Sequence, residues 1–301
     1  MKDLAPIVIF AFNRLQSLQA TVASLLENPE AKDSDLYVFV DGPRVDRAGE
    51  KEQVESVQSF AKTITGFKNV SYEFSDKNCG LGPSIIKGVT GVINRHGAAI
   101  VLEDDLIFSK NFLAFMNQEL GVYEKKEDVF YICGYSNSVK RPTEYQDDAY
   151  FCVRSSSWGW ATWADRWNSV DWELEDWNIV QQQRRKFNRW GGSDCFKMLN
   201  DWKNGKNKSW AIRFCYSQFI QNKVSLFPIY SKVQNNGFDG SGTNCKKWSR
   251  FRCDFDDMGS KNFKFPTNTE MNKTLLKSAL SYHSLILRVF SRIMYLLFKN
   301  K

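Results

Sequence analysis

Three consecutive carboxylates, Glu103-Asp104-Asp105, stand directly behind the apolar run Ala98-Ala-Ile-Val-Leu102. In an extended strand end, alternate side chains share a side. Glu103 and Asp105 are therefore expected to face one ligand, with Asp104 turned away or toward a neighbouring group. Hard oxygen ligands suit Mg²⁺ or Mn²⁺, ions that keep positions open for substrate phosphates, so a diphosphate leaving group would be neutralised there. A bare acidic triplet is as readily a solvated turn or a helix cap. What favours chemistry is its company: Asn13-Arg14 follows a first apolar run, and Asp41-Gly42 follows a second. The chain has only two histidines, His96 and His283. That excludes a multi-histidine zinc site and disfavours Ser-His-Asp or Cys-His nucleophilic systems, which leaves a carboxylate as the working base. His96 reads as a cationic side chain at a helix end.

These groups need a scaffold that brings strand ends together, and the alternation of elements supplies one. Pro6 to Phe12 is continuously apolar, β-branched and aromatic, the mark of a strand buried on both faces. Helical spacing follows over Leu15–Leu26, then a strand over Leu36–Val40, a helix over Val54–Ile64, a strand over Val70–Phe74, a helix over Pro83–Asn94 and a strand over Ala98–Leu102. This β-α-β-α-β-α-β order predicts a parallel, doubly wound sheet with right-handed crossovers. Ligands of such sheets bind beyond the carboxyl ends of the strands, where Arg14, Asp41 and Glu103–Asp105 all fall. The segment Gly80-Leu81-Gly82-Pro83 is a poor dinucleotide signature, because it lacks the third glycine and follows its strand only after a loop.

Composition agrees with a folded α/β body of one or two domains: 301 residues, 43% hydrophobic and 25% charged. A formal charge of +7 is too small and too unevenly placed to announce a nucleic-acid binder. Seven cysteines without a C-x-x-C pair read as reduced thiols, and the opening Met-Lys-Asp-Leu-Ala-Pro has the form of no export signal, so a cytoplasmic location is expected.

The blocks Ile7-Val-Ile-Phe-Ala-Phe-Asn-Arg14, Val38-Phe-Val-Asp-Gly42 and Ile100-Val-Leu-Glu-Asp-Asp105, followed by Phe108 and Phe112, resemble nucleotide-sugar-dependent glycosyltransferases of the GT-A fold. The resemblance is to the N-acetylglucosaminyltransferase I-like group and its bacterial family 2-like relatives, and it covers roughly residues 5 to 245. It implies a Rossmann-like, mostly parallel central sheet flanked by helices. It also implies that Asp105 is the direct ligand of Mn²⁺ or Mg²⁺, that Glu103 and Asp104 contact the donor sugar and ribose, that Asp41 holds the base, and that Arg14 contacts the base or phosphate end. On this basis residues 1–264 form the glycosyltransferase domain, with a nucleotide-sugar half (1–125) and an acceptor half (126–264), and residues 265–301 form a tail.

Six of the ten tryptophans lie between Trp158 and Trp177. Aromatic faces stack on sugar rings, yet tryptophan is more often core than platform. Most of the six are expected to be buried and one or two exposed. In relatives a Trp-Gly-Trp-like segment forms the acceptor side, which marks Trp158, Gly159 and Trp160. Transfer to a hydroxyl needs a general base. Where the resembling transferase carries an aspartate after a tryptophan, Lys208-Ser-Trp-Ala-Ile-Arg-Phe214 has Ala211. Asp239 is the preferred substitute and Asp201 the alternative. Around Asp239, the run Gly237 to Thr243, with Ser241, reads either as a loop folding over a diphosphate or as a plain surface turn.

Between Leu275 and Phe298 polar residues recur every three or four positions, and no acidic residue occurs from Thr274 to Lys301. This is a basic amphipathic helix, suited either to an anionic membrane surface or to packing on the body or a sister subunit. Phe265-Pro266-Thr267-Asn268 reads as a hinge before it. The expected function is metal-dependent transfer of a hexose or N-acetylhexosamine from a nucleotide-diphosphate sugar to a glycan or lipid-linked acceptor, by inversion, in polysaccharide biosynthesis. Peripheral contact with the inner face of the cytoplasmic membrane goes with it, and no nucleic acid. A nucleotidyltransferase or nucleotide-sugar pyrophosphohydrolase, and an inactive carbohydrate-binding assembly protein, are the alternatives.

Overall fold

The computed structural model describes residues 4–237 and 253–298, the side chains of 295–298 excepted. The N-terminal half follows the expected alternation: β1 (Ile7–Ala11), α1 (Leu15–Leu26), β2 (Asp35–Val40), α2 (Glu50–Ala61), β3 (Asn69–Phe74), α3 (Leu81–His96) and β4 (Ala98–Glu103). The four strands pair in parallel in the order β3-β2-β1-β4. Every residue of β1 is buried, as its unbroken apolar run requires for a strand flanked on both sides and covered on both faces. Register matters more than length here. Phe10 of β1 is level with Phe39 of β2 and with Glu103 of β4, so the three strands end on one rim.

The second half departs from simple alternation. It contains β5 (Leu106–Phe108), α4 (Phe112–Tyr123), β6 (Val129–Cys133), β7 (Ala149–Cys152), β8 (Trp160–Trp163), α5 (Ala164–Asn168), α6 (Trp177–Gln182), α7 (Arg184–Gly191), α8 (Cys195–Lys203), α9 (Trp210–Ile220), β9 (Val224–Pro228) and β10 (Val233–Asn235). The sheet continues as β4-β8-β6-β9-β7 to eight strands. β8 runs antiparallel to both β4 and β6, and β7 antiparallel to β9. The sheet is thus mixed, with the parallel pairs in the majority, and helices flank it. β10 pairs with β5 in a separate two-stranded ribbon.

One core runs under both halves, and a satellite cluster of Leu174, Val180, Phe187, Leu199 and Ile212 holds α6–α9 together. The tail is two helices rather than one: α10 (Lys273–Ser281) and α11 (Leu285–Phe298). α10 is part of the body. Leu275 is fully buried on β7, Lys140 N–H donates to Ser278 Oγ at 2.9 Å, and Tyr282 Oη donates to the Ser138 carbonyl at 2.9 Å. The expected hinge is pinned as well. Phe265 packs edge-on against Phe115, and Tyr123 Oη donates to the Pro266 carbonyl at 2.7 Å.

Candidate active site

The rim predicted from the strand ends exists, and its geometry differs from that of a continued strand. β4 stops at Glu103, and Asp104 and Asp105 lie in a turn, so strand alternation does not govern them. Both face Arg14, which follows β1 at the start of α1. Its Nη1 donates to Asp105 Oδ2 at 2.9 Å and its Nη2 pairs with Asp104 Oδ1. Asp104 is therefore not turned away. Thr21 of α1 fixes the turn by donating to a carbonyl of the pair Asp104 and Leu106, each 2.9 Å away.

The charges do not balance among these groups. The side chains of Asp104 and Asp105 are 5% and 6% exposed and share one guanidinium, while Glu103 stands beside them half-buried. Burial, followed by the negative charge of Asp105, pushes the Glu103 carboxyl up to about 8; a hydrogen bond with the Ser157 side chain works the other way. Burial also raises Asp104 to about 6, against the opposing effect of Arg14. Arg14 itself is held protonated, the two carboxylates outweighing its partial burial. Three carboxyls around one cation form a site with room for further positive charge.

The chain supports Asp105 from a second direction that sequence reading missed. Asn235, at the end of β10, donates from Nδ2 to Asp105 Oδ1 at 3.4 Å, and Asn236 N–H donates to the Asp105 carbonyl at 2.8 Å. Gly237 follows against the carboxylate: a Cβ there would lie 2.6 Å from Asp105 Oδ2. The pairing of β10 with β5, three residues each, brings these groups together. No local signal marks so short a ribbon.

Asp41 lies at the end of β2, as expected, with its four lone-pair directions occupied. Oδ1 accepts from the Gly42 and Cys79 amides at 3.0 and 2.8 Å, and Oδ2 from the Gly80 amide and Asn78 Nδ2 at 2.8 and 3.1 Å. It thereby ties the loop before α3 to the rim. Asp201 lies on α8 paired with Lys197 of the same helix, and none of its described contacts reaches Glu103–Asp105. Asp239 and Ser241 lie outside the described residues.

The Trp158-Gly159-Trp160 segment divides. Trp160 is 1% exposed and stacks on Tyr131, Trp167 and Trp210, so it is core and offers no face to a sugar. Gly159 has φ +63°, and a Cβ would meet Val233 Cγ2 at 2.9 Å, so the segment turns there on a residue without a side chain. Trp158 is half-buried, packs edge-on against Tyr135 at 4.6 Å, and lines a cavity of about 210 Å³. Of the six clustered tryptophans Trp160, Trp163 and Trp167 are buried, Trp158, Trp172 and Trp177 are half-buried, and none is fully exposed. Ser155, Ser156, Ser157 and Asn137 add polar groups to the cavity wall, and through its contact with Glu103 Ser157 joins the cavity to the rim. Ala211 lies in the first turn of α9 behind the cap Ser209, beside buried Trp210.

The sequence matches no family model and no curated protein. Among solved structures, the chain is similar to the mannosyltransferase PcManGT from Pyrobaculum calidifontis in complex with GDP-mannose and Mn²⁺, at 13% identity over 55% of this chain and 48% of that one, with a TM-score of 0.37. It is similar to S. aureus TarS at 14% identity, covering 48% and 24% of the two chains, with a TM-score of 0.30. It is also similar to a UDP-glucose pyrophosphorylase complexed with UDP-glucose at 11% identity, covering 75% and 90%, with a TM-score of 0.37. The chain spans about half the length of the first and about a quarter of the second.

Proposed function

We propose that this chain is a glycosyltransferase that moves a sugar from a nucleotide-diphosphate donor to a glycan or lipid-linked acceptor, with Mn²⁺ or Mg²⁺ bound at Asp105. The observation that carries this reading is the junction of two different sites. A cluster of carboxyls with a single guanidinium occupies the ligand-binding rim of a parallel sheet, and it adjoins a cavity walled by aromatic rings and hydroxyls through Ser157 and Glu103.

The donor set fits a hard divalent ion. Among the described residues no three histidine, cysteine or acidic groups are spaced as a closed metal site, and a closed cage is not what this chemistry needs. Mg²⁺ and its like bind through one or two carboxylates and take their remaining ligands from phosphates and water. Asp105, accepting one bond at each oxygen, keeps lone pairs for such an ion. When bound, the ion supplies neutralisation of the diphosphate charge that develops as the glycosidic bond breaks. Arg14 orients both aspartates and presents its guanidinium toward the phosphate side, and Glu103 faces the sugar. Asp41 shapes the loop bordering the nucleotide. Trp158 and Tyr135 stack the acceptor ring while Ser155–Ser157 and Asn137 hold its hydroxyls. Inversion by single displacement needs a carboxylate to take the proton of the attacking hydroxyl. Asp239 is the proposed base, because it follows Gly237 by two positions and Gly237 stands against Asp105.

The test is a thermal-shift panel of nucleoside diphosphates and their sugars with and without Mn²⁺, followed by transfer assays on the ligand found. A ligand that binds only the folded state raises Tm. The expected result is a metal-dependent shift, with transfer lost at least about a hundredfold in Asp105→Asn and the fold intact. Full transfer activity in that variant, or no shift with any nucleotide, would overturn the reading. Release of pyrophosphate or donor cleavage without acceptor would assign the site to nucleotidyl or pyrophosphohydrolase chemistry instead.

A further inference from the structure

The cavity that includes Ser157, whose side chain acts on the Glu103 carboxyl, is also walled by the C-terminal segment. Ala279 and Leu280 of α10, His283 just beyond it, and Phe227 are among its lining residues. Two residues after His283 begins α11. The segment that launches the C-terminal helix thus forms part of the cavity wall, where apolar Phe227, Ala279 and Leu280 stand with the His283 ring and the Arg154 guanidinium.

α11 presents an unusual surface. Leu285, Ile286, Val289, Phe290 and Ile293 are 62%, 83%, 51%, 52% and 51% exposed. Their spacing places them along one face of a helix. Leu287, Arg288, Ser291 and Met294 are only partly exposed and lie toward the body, where Arg288 Nη1 donates to Ser193 Oγ at 3.0 Å. Arg292 flanks the apolar face in solvent. From Thr274 to the C-terminus the charges are Lys277, Arg288, Arg292, Lys299 and Lys301, with no acidic residue. An apolar stripe flanked by Arg292, in a tail sequence that carries cations and no acidic residue, complements an anionic lipid surface. No helix among the described residues is long and apolar enough to cross a membrane.

We propose that the cavity takes the sugar of a lipid-linked saccharide, whose hydrocarbon leaves past Leu280 and His283 into an anionic membrane surface held by α11. This rests on the transferase reading above and narrows its acceptor. The cavity, about 210 Å³, lies below the ~300 Å³ at which pockets for drug-sized ligands begin, so it suits one sugar ring rather than an oligosaccharide. The ring lies against Trp158 and Tyr135 with its hydroxyls on Ser155–Ser157, and the lipid end emerges at the basic, apolar helix.

Two measurements on the full chain test this without a donor. Sedimentation with vesicles of about one-third phosphatidylglycerol should carry the protein down, while vesicles of phosphatidylcholine alone should not, and Ile286→Glu/Val289→Glu should abolish the difference. By ligand-observed NMR, n-decyl hexosides should bind at least about tenfold more tightly than methyl hexosides, because the chain buries methylenes that the methyl group lacks. Ala279→Trp, which fills the cavity, should remove binding of both; Leu280→Ser, a milder change, should remove only the decyl advantage. The proposal falls if the vesicles do not bind, if the two hexosides bind equally, or if Ile286→Glu/Val289→Glu instead converts a dimer to a monomer, which would assign the face to a second copy. Binding of Mn²⁺ and nucleotide by the same samples is scored separately. Its failure alone would sink the transfer reading and leave the lipid-saccharide site standing.

Discussion

The two halves of the sheet put similar numbers of strands to opposite uses. In β3-β2-β1-β4 the strands run parallel, the core is aliphatic, and function gathers where the strands stop, at Arg14, Asp41 and Glu103–Asp105. In β8-β6-β9-β7 the directions are mixed, with β6 and β9 parallel between antiparallel β8 and β7, the core is aromatic, and Trp160, Trp167, Trp210 and Phe214 stack into one block. There the candidate function lies around Trp158, just ahead of β8, where the backbone turns off the block at Gly159. The lesson is that neighbouring tryptophans in sequence hold unlike roles: two positions apart, one is a structural wedge and the other a cavity wall.

The largest effect that could break this contrast is in the aromatic block. Trp160→Ala removes a fully buried ring and should cost about 3–5 kcal/mol, lowering Tm by about 5–8 °C for a chain of this size. Trp158→Ala should cost about 1 kcal/mol or less while raising the KM for acceptor, because its ring is half-buried at the cavity. Calorimetry and acceptor titrations on the pair decide it. Equal loss of stability in both would erase the distinction between wedge and wall.

On the rim, Arg14→Met leaves Asp104 and Asp105 buried without their shared cation. Its expected cost is about 2 kcal/mol. A divalent ion can then take over part of the compensation, so Mn²⁺ should raise the Tm of Arg14→Met by more than it raises that of the parent chain, even as transfer is lost. An unchanged or smaller Mn²⁺ effect in the variant would mean that the carboxyls do not see the ion.

The difference between the halves is also a difference in what the sequence discloses. The helix Leu15–Leu26 and the strands up to β4 follow from apolar and β-branched runs and their periods; in β1 the run is unbroken because a parallel strand covered on both faces must be apolar throughout, while β3, at the sheet edge, is mostly exposed. Local pattern carries that information. It stops at Glu103, where the chain leaves the strand, and leaves open whether Asp104 faces away or toward a neighbouring group; Arg14, ninety residues earlier, decides for the neighbour. Asn235 is invisible for the same reason, since it reaches Asp105 through a three-residue ribbon partnered across more than a hundred positions, and Gly237 is legible only as the start of a glycine-rich loop, not as a residue packed on that carboxylate. The tail shows the converse. Its amphipathic period is legible, but the break at 282–284 is not, because α10 answers to β7 and to the Ser138 carbonyl while α11 answers to neither.

That remote support for Asp105 is itself testable. Gly237→Ala would bring a methyl group to 2.6 Å from Asp105 Oδ2 and 3.1 Å from Asn235 Oδ1, so the carboxylate or the ribbon end must shift. The expected result is about tenfold weaker binding of Mn²⁺ and nucleotide, some 1.4 kcal/mol, with Tm within a few degrees of the parent. Unaltered ligand affinity would separate β10 from the site.

The smallest effect separates structure from recognition at Asp41. Its carboxylate accepts from three backbone amides and Asn78, so the geometry makes it the organiser of the loop ahead of α3. Asp41→Asn turns one acceptor oxygen into a donor facing amides that also donate. About 1 kcal/mol of stability should be lost, and nucleotide affinity should fall only as far as the loop moves. Were Asp41→Asn instead to lose nucleotide binding outright at unchanged Tm, the carboxylate would be holding the base. The rim of the parallel half would then combine recognition and catalysis at every strand end, rather than concentrating chemistry at β4 and construction at β2.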